Sequence, residues 1–283
     1  DETQLKEYAT QYLGSLPATG KATSFKDNGY RSVTGNFNKV YKKGKDPKSL
    51  VVISYAGEAP YNEKEALALS ALGEVATIKV IEKLREEESG IYGGGARGSM
   101  TKVPYGMYQF SLQFPCGPEN ADKLTKSAIA ELQKFIEKGP EQKDLDKFKE
   151  GELNDDRTNL KDNNYWLSNI SNYQLEGGDR YEILNYEAKL KALTVKDLQN
   201  VAKKFLSKDR IVATLMPEDG WEAEVKKEES TATAPATVSA QQVIDTYIAA
   251  IGGKAKLEAV KSIKSNSTMM MGGMEIKVSE KKM

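Results

Sequence analysis

The 283-residue sequence contains no histidine. That removes the side chain most often used to ligate zinc and to move protons near neutral pH. A zinc site would have to be built from Cys116 and carboxylates, and no spacing of those residues suggests one. Cysteine is nearly absent as well. Cys116 stands alone, so no intrachain disulfide can form. That fits the cytosol, or a secreted protein that does not rely on disulfides, without choosing between them. An excess of either charge is also missing. Lys plus Arg and Asp plus Glu both number 41, so no global basic field attracts nucleic acid or anionic lipid. No apolar run approaches the roughly 18 residues of a membrane helix. There is no signal peptide. The chain opens at Asp1 inside a helical pattern and stops at Met283 after a strand-like run. It therefore reads as a piece of a longer protein, and its lack of a targeting signal says nothing about where that protein resides.

What is present is enough chain for about two domains. Leu5, Tyr8, Ala9, Tyr12 and Leu13 recur at helical spacing until Gly14 and Pro17 stop them. Residues 36–42 and 50–56 predict two strands, the second rich in β-branched residues. A long helix is predicted over 62–87. Leu67, Leu69, Leu72, Val75, Ile78, Val80, Ile81 and Leu84 give it an apolar face wide enough for burial on more than one side. Gly90 is a suitable left-handed stop. Two extended runs follow. In the second, 105–114, Tyr108, Phe110, Leu112 and Phe114 alternate with polar residues, and Tyr105, Tyr108 and Phe110 are expected to pack in a sheet. Pro118 and Glu119 open a helix that Gly139 and Pro140 end. A polar helical region is predicted over 142–174, anchored by Leu145, Phe148, Trp166, Leu167 and Ile170. Gly177 and Gly178 break it. A helical stretch follows over 183–190, then a helix through Phe205 capped by Thr194 and Asp197. Residues 211–216 close the unit as a strand. Strands followed by runs of helices predict an α+β fold, a mainly antiparallel sheet with helices packed on one side.

After Trp221 the composition shifts. Residues 226–239 carry Glu, Lys, Ser, Thr, Ala and Pro with hardly any large apolar side chain, a linker composition. A short amphipathic helix begins at Ala240. A second short turn and a β-hairpin over 262–278, with Gly272 and Gly273 at its tip, complete the tail. One helix and one hairpin cannot bury a full core, so the tail reads as a truncated α/β domain. Met269, Met270 and Met271 are expected to pack inside it.

The most informative stretch is residues 84–96, Leu-Arg-Glu-Glu-Glu-Ser-Gly-Ile-Tyr-Gly-Gly-Gly-Ala. It places Arg85 at the end of the long helix and Tyr92 at the start of an extended run, across a glycine turn. A guanidinium and a phenol arriving from a helix end and a strand start can point at one place and hold a peptide. Simpler readings stand beside this one. Arg85 suits a last-turn cation favoured by the helix dipole and paired with Glu82 or Glu86, and Tyr92 suits a strand aromatic. Gly93 to Gly95 do not lead into a helix, so they are not a phosphate loop. Glu86, Glu87 and Glu88 read as a solvated face. Cys116 has no histidine to activate it as a nucleophile.

Residues from about 2 to 219 resemble the M16 (pitrilysin/insulinase) family of zinc peptidases. The resemblance rests on an ordered set of segments: Tyr-Leu-Gly-Ser-Leu-Pro at 12–17, Lys-Asp-Pro-Lys-Ser-Leu-Val-Val at 45–52, the 84–92 segment, and Leu-Thr-Val-Lys-Asp-Leu-Gln-Asn-Val-Ala at 193–202 followed by 211–217. Members of that family pair an N-terminal half carrying an inverted His-x-x-Glu-His zinc motif with a similar C-terminal half lacking it, and the two enclose a peptide chamber. The resemblance implies that Arg85 and Tyr92 are the substrate-binding pair of the C-terminal half. Arginine offers a planar fork of donors, and a tyrosine hydroxyl can donate to a developing oxyanion. Neither activates water. The resemblance also implies no catalytic residue and no cofactor in this chain, with zinc in an upstream half or partner subunit.

Three expectations follow. The first is an M16-like domain over 1–223 (with 1–17 as the last helix of a preceding repeat), a linker over 224–239, and the start of a second domain over 240–283. The second is a peptidase half that is inactive alone and takes a peptide substrate and an N-terminal catalytic half as partners, with no nucleic acid. Its rival is an M16-like scaffold subunit without chemistry. The third comes from the tail, where Ile-Gly-Gly-Lys-Ala-Lys-Leu-Glu-Ala-Val at 251–260 and the Met-rich hairpin resemble lipoprotein-sorting domains of bacterial envelope proteins. That resemblance implies a periplasmic setting and leaves open an envelope lipid- or lipoprotein-binding protein.

Overall fold

Alternation along two runs decides the sheet. In β2 (Ser49–Glu58), Val51, Ile53 and Tyr55 are buried while Leu50 and Glu58 are exposed. In β4 (Met107–Cys116), Tyr108, Phe110, Leu112, Phe114 and Cys116 are buried. The strands pair antiparallel with Val51 opposite Phe114, Ile53 opposite Leu112 and Tyr55 opposite Phe110. In these three pairs a buried side chain of one strand faces a buried side chain of the other, the pairing that most stabilises a sheet. These features come from a computed structural model, which describes residues 1–17, 20, 24–87, 91, 93–207, 209–219, 239–271 and 274–282. The chain divides into two compact units, Asp1–Glu224 and Val225–Met283.

In the first unit, a short helix α1 (Glu2–Tyr8) continues into a π-helical turn, Ala9–Leu13, and buries no side chain. Strands β1 (Phe37–Lys42) and β2 are followed by helix α2 (Glu63–Ala76), which Asn62 caps through the Glu65 amide at 2.9 Å. Two π-helical turns, Thr77–Ile81 and Lys83–Glu87, prolong α2. Next come β3 (Gly95–Thr101) and β4, then a 3₁₀ turn at Pro118–Asn120 leading into α3 (Ala121–Lys138). Helices α4 (Gln142–Asn159), α5 (Asn163–Glu176), α6 (Tyr186–Ala192) and α7 (Val195–Val201) precede the last strand, β5 (Ile211–Met216). The strand order is β1-β5-β2-β4-β3. The β2–β4, β2–β5 and β3–β4 pairs are antiparallel, and β1–β5 is the parallel pair.

The core lies between the sheet and helices α2, α3 and α7. Leu69, Leu72 and Val75 of α2, Leu124, Ala128 and Leu132 of α3, and Leu198 of α7 are fully or almost fully buried, as is Phe205 just beyond α7. Each large apolar side chain so buried contributes roughly 1.5–3 kcal/mol. The Phe205 ring meets Tyr108 of the sheet at a centroid distance of 4.4 Å. The α7 capping box joins Thr194 and Asp197 in both directions, as its sequence pattern predicts.

Three expectations are corrected. The helical region over 142–174 is two helices. Asp162 caps α5 by accepting from the Asn164 amide at 2.6 Å, and the Trp166 indole donates to the Leu160 carbonyl at 2.8 Å. These local bonds compete with helix continuation. Leu167 and Ile170, expected as anchors, are exposed, and α5 contributes no buried residue. Tyr105 lies before β4, not in the sheet, and its ring carries the Arg31 guanidinium 3.9 Å from its centroid.

The second unit contains α8 (Ala240–Ala250), capped by a Ser239–Gln242 box, a short α9 (Lys254–Glu258), and an antiparallel hairpin of β6 (Ile263–Met271) and β7 (Met274–Lys282).

Candidate functional site

Helix α2 and strand β3, which flank the sequence-predicted pair in the chain, are held together by close backbone approach. At Gly98 a Cβ would fall 2.0 Å from the Leu69 carbonyl oxygen, and at Gly73 a Cβ would fall 2.6 Å from the Gly98 nitrogen. Only glycine at both positions lets the helix lie on the strand at this distance. One turn further, the Thr77 hydroxyl accepts from the Ala96 amide at 2.7 Å. The same hydroxyl lies 3.1 Å from the Gly73 carbonyl and 3.2 Å from that of Ala96. The connecting segment is pinned at both ends: Leu84 is fully buried and Ile91 is 4% exposed.

Arg85 follows buried Leu84 in the last π-helical turn, and its side chain is exposed. Tyr92 lies outside the described residues, as do Glu88 and Gly90. The structure thus fixes Arg85 and the residues on either side of Tyr92, Ile91 and Gly93, but supplies no distance between the pair.

Charged groups around the helix extension form two clusters. Lys83 donates to Glu131 of α3 at 2.6 Å, and Lys134 reaches the same carboxylate at 2.6 Å. Burial pushes Glu131 up, but the two lysines outweigh it and hold the carboxyl below its ordinary value. Lys79 lies 3.0 Å from Glu141 and 3.5 Å from Asp144, and its own pKa is raised, chiefly by Glu141. Asp144 is buried, and burial raises its pKa despite Lys79. Sequence reading missed this contact because Lys79 and Asp144 lie on different helical segments with no local pattern between them.

Cys116 is buried, and burial, with Glu119 nearby, pushes its thiol up to about 11. Little thiolate exists near neutral pH, so the residue is a poor nucleophile. Among the described residues no group of three Cys, Asp or Glu side chains is disposed to hold a metal ion. With no histidine in the sequence, the residues present do not fit a catalytic zinc, and no chemical step is derived through one.

A family profile described as the peptidase M16 inactive domain matches residues 1–152. The chain belongs to the M16 peptidase family. The matched domain type agrees with the missing His-x-x-Glu-His motif. A zinc protease PQQL-like protein of Arabidopsis thaliana is 31% identical over 114 residues, covering 38% of this chain and 12% of that protein. The periplasmic protease PqqL from Escherichia coli is similar over 77% of this chain and 24% of its own, at 22% identity and a TM-score of 0.65. The structure of the first half of PqqL is similar over 84% of this chain and 56% of its own, at 16% identity and a TM-score of 0.63. These structural likenesses establish the M16 fold. The chain thus spans about an eighth of the curated relative and a quarter of PqqL. Among the described residues no helix is long and apolar enough to cross a membrane.

Proposed function

We propose that this chain is the non-catalytic, substrate-binding portion of an M16 zinc metalloendopeptidase. It completes a peptide chamber whose zinc is held by an N-terminal catalytic half, in the same polypeptide or in a partner subunit. Arg85 and Tyr92 grip the peptide, Arg85 through its donor fork and Tyr92 through its hydroxyl. The observation that carries this reading is the match to the family's inactive domain, in a chain that lacks every histidine of the zinc motif. The exposed Arg85 side chain, directly after the fully buried Leu84, supports it, because burial of Leu84 fixes the backbone from which Arg85 extends. The periplasmic location of PqqL supports a bacterial periplasmic setting. The domain division proposed is an M16-like domain to residue 223, a linker to 239 and a second domain beyond.

The test pairs this chain with its catalytic half. Arg85→Ala should lower peptide turnover while leaving zinc content unchanged. Loss of zinc, or unchanged turnover, would count against the role. The purified 283-residue chain alone should cleave no peptide, and chelator-sensitive cleavage by it would overturn the assignment.

A further inference from the structure

Away from the α2–β3 junction, the start of α2, helices α4, α5 and α6 and the 3₁₀ turn Arg180–Asn185 line an open cavity of about 380 Å³. Four tyrosines line it: Tyr61, Tyr165, Tyr173 and Tyr186. Each phenol has its pKa raised, chiefly by burial, so all four remain neutral hydroxyls. The charges in the wall are unbalanced. Among the described residues, five carboxylates line the cavity with a single cation, Lys189. That lysine is already engaged by Glu63 and Glu182. Glu152 accepts from the Tyr186 hydroxyl at 2.5 Å, and Asp155 is exposed.

Asp156 is the decisive residue. It is only 6% exposed, yet its one side-chain contact among the described residues is the Tyr165 hydroxyl at 3.4 Å. A carboxylate enclosed on its other sides, with no cation beside it among the described residues, presents its charge to the cavity and favours a cation there. No three acidic groups here converge on a point as a metal ion requires. A cation spread over several atoms satisfies both facts, since it can meet separated carboxylates and lie against tyrosine faces.

We propose that this cavity binds an organic cation, the guanidinium or ammonium of a basic peptide side chain. Asp156 and Glu152 supply the charge, and the tyrosine rings supply the walls. The peptide source of the cation rests on the substrate-binding reading above; the recognition of the cation does not.

The test is calorimetric titration of the 283-residue chain with an acetylated, amidated Ala-Arg-Ala peptide and with its citrulline counterpart, which keeps the shape and loses the charge. The arginine peptide should bind, and more weakly as salt is raised. The citrulline peptide and the Asp156→Asn protein should each show affinity lower by about tenfold or more, the worth of one charge-assisted hydrogen bond. If Asp156→Asn does not fold by circular dichroism, Glu152→Gln carries the same test. Glu137→Gln, which removes an exposed carboxylate of α3 outside the cavity, should leave the affinity within about twofold, and the readout is binding by this chain alone, separate from the turnover assay that tests Arg85. Several results would overturn the proposal: no binding of the arginine peptide at millimolar concentration, equal binding of the citrulline peptide, unchanged affinity in both carboxamide variants, an equal loss of affinity in Glu137→Gln, or calcium competing for the cavity.

Discussion

Thr77 holds Ala96 by a 2.7 Å hydrogen bond from the Ala96 amide to the Thr77 hydroxyl oxygen, tying the end of α2 to the start of β3. Ala96 is 7% exposed, so its amide has little access to water. Thr77→Val keeps the shape and strands that donor, with an expected loss of about 1–3 kcal/mol. Thr77→Ser should lose much less. Urea denaturation checks both, and equal midpoints for wild type and Thr77→Val would refute the tie.

Gly98 gives a sharper steric test. A methyl there would meet the Leu69 carbonyl oxygen at 2.0 Å, so Gly98→Ala should destabilise by about 1–3 kcal/mol through forced displacement of helix from strand. Gly151, within α4, has open space around its position. Gly151→Ala should instead stabilise by about 0.5–1 kcal/mol. Thermal unfolding of the two variants side by side separates crowding from intrinsic helix preference.

Two carboxyls should respond to pH with opposite sign. Burial pushes Asp197 up, but hydrogen bonds from Lys64 and Thr194 outweigh it and leave its pKa lowered. Its stabilisation is present above the ordinary aspartate value of about 3.9 and fades as pH falls through the lowered folded value. Asp197→Ala should cost about 1 kcal/mol at pH 7, and the gap should narrow in acid. Asp144 is raised by burial, so its protonated form is favoured in the fold and stability is lost as pH climbs from the ordinary to the raised value. Asp144→Asn should therefore gain stability at pH 7 and show no gain below the ordinary aspartate range. Denaturation at several pH values reads both trends.

Arg31 stacks on Tyr105 and bonds Asp27 and Glu58, clasping the stretch before β1 to the body. The hydrogen bond from Arg31 lowers the Asp27 pKa to about 2. In Arg31→Ala, nuclear magnetic resonance titration should find Asp27 back near about 3.9. Amide exchange around residues 24–36 should quicken, while global stability changes little, as is usual for exposed ion pairs. An unmoved Asp27 would contradict the clasp.

Legibility in the sequence followed the range of the forces involved. Alternation in β4 and the Thr194–Asp197 cap are local, and both appear where their residues predict. The break at Asp162 was hidden because apolar residues keep helical spacing on both sides of it, while the competing bonds come from single polar side chains. Arg31 on Tyr105 joins residues 74 apart in sequence, and no periodicity records such a contact. Arg85 could be named from its segment, and the structure places it after buried Leu84. The Asp156 cavity could not be named, because its walls come from several separate helical segments and their charges read as ordinary solvated faces.

The position of β5 between β1 and β2 has a consequence for how the first unit is made. Strand β1 is made well before β5, and its partner in this sheet is missing until residues 211–216 arrive. Until then β1 waits unpaired, and one edge of β2 stays open. Loop closure over so long a separation is slow, and an open edge recruits other chains. Completion of this sheet is therefore a late event in synthesis. A ribosome stalled before residue 211 would present β1 and the open edge of β2 to whatever chaperone or neighbouring chain reached them first.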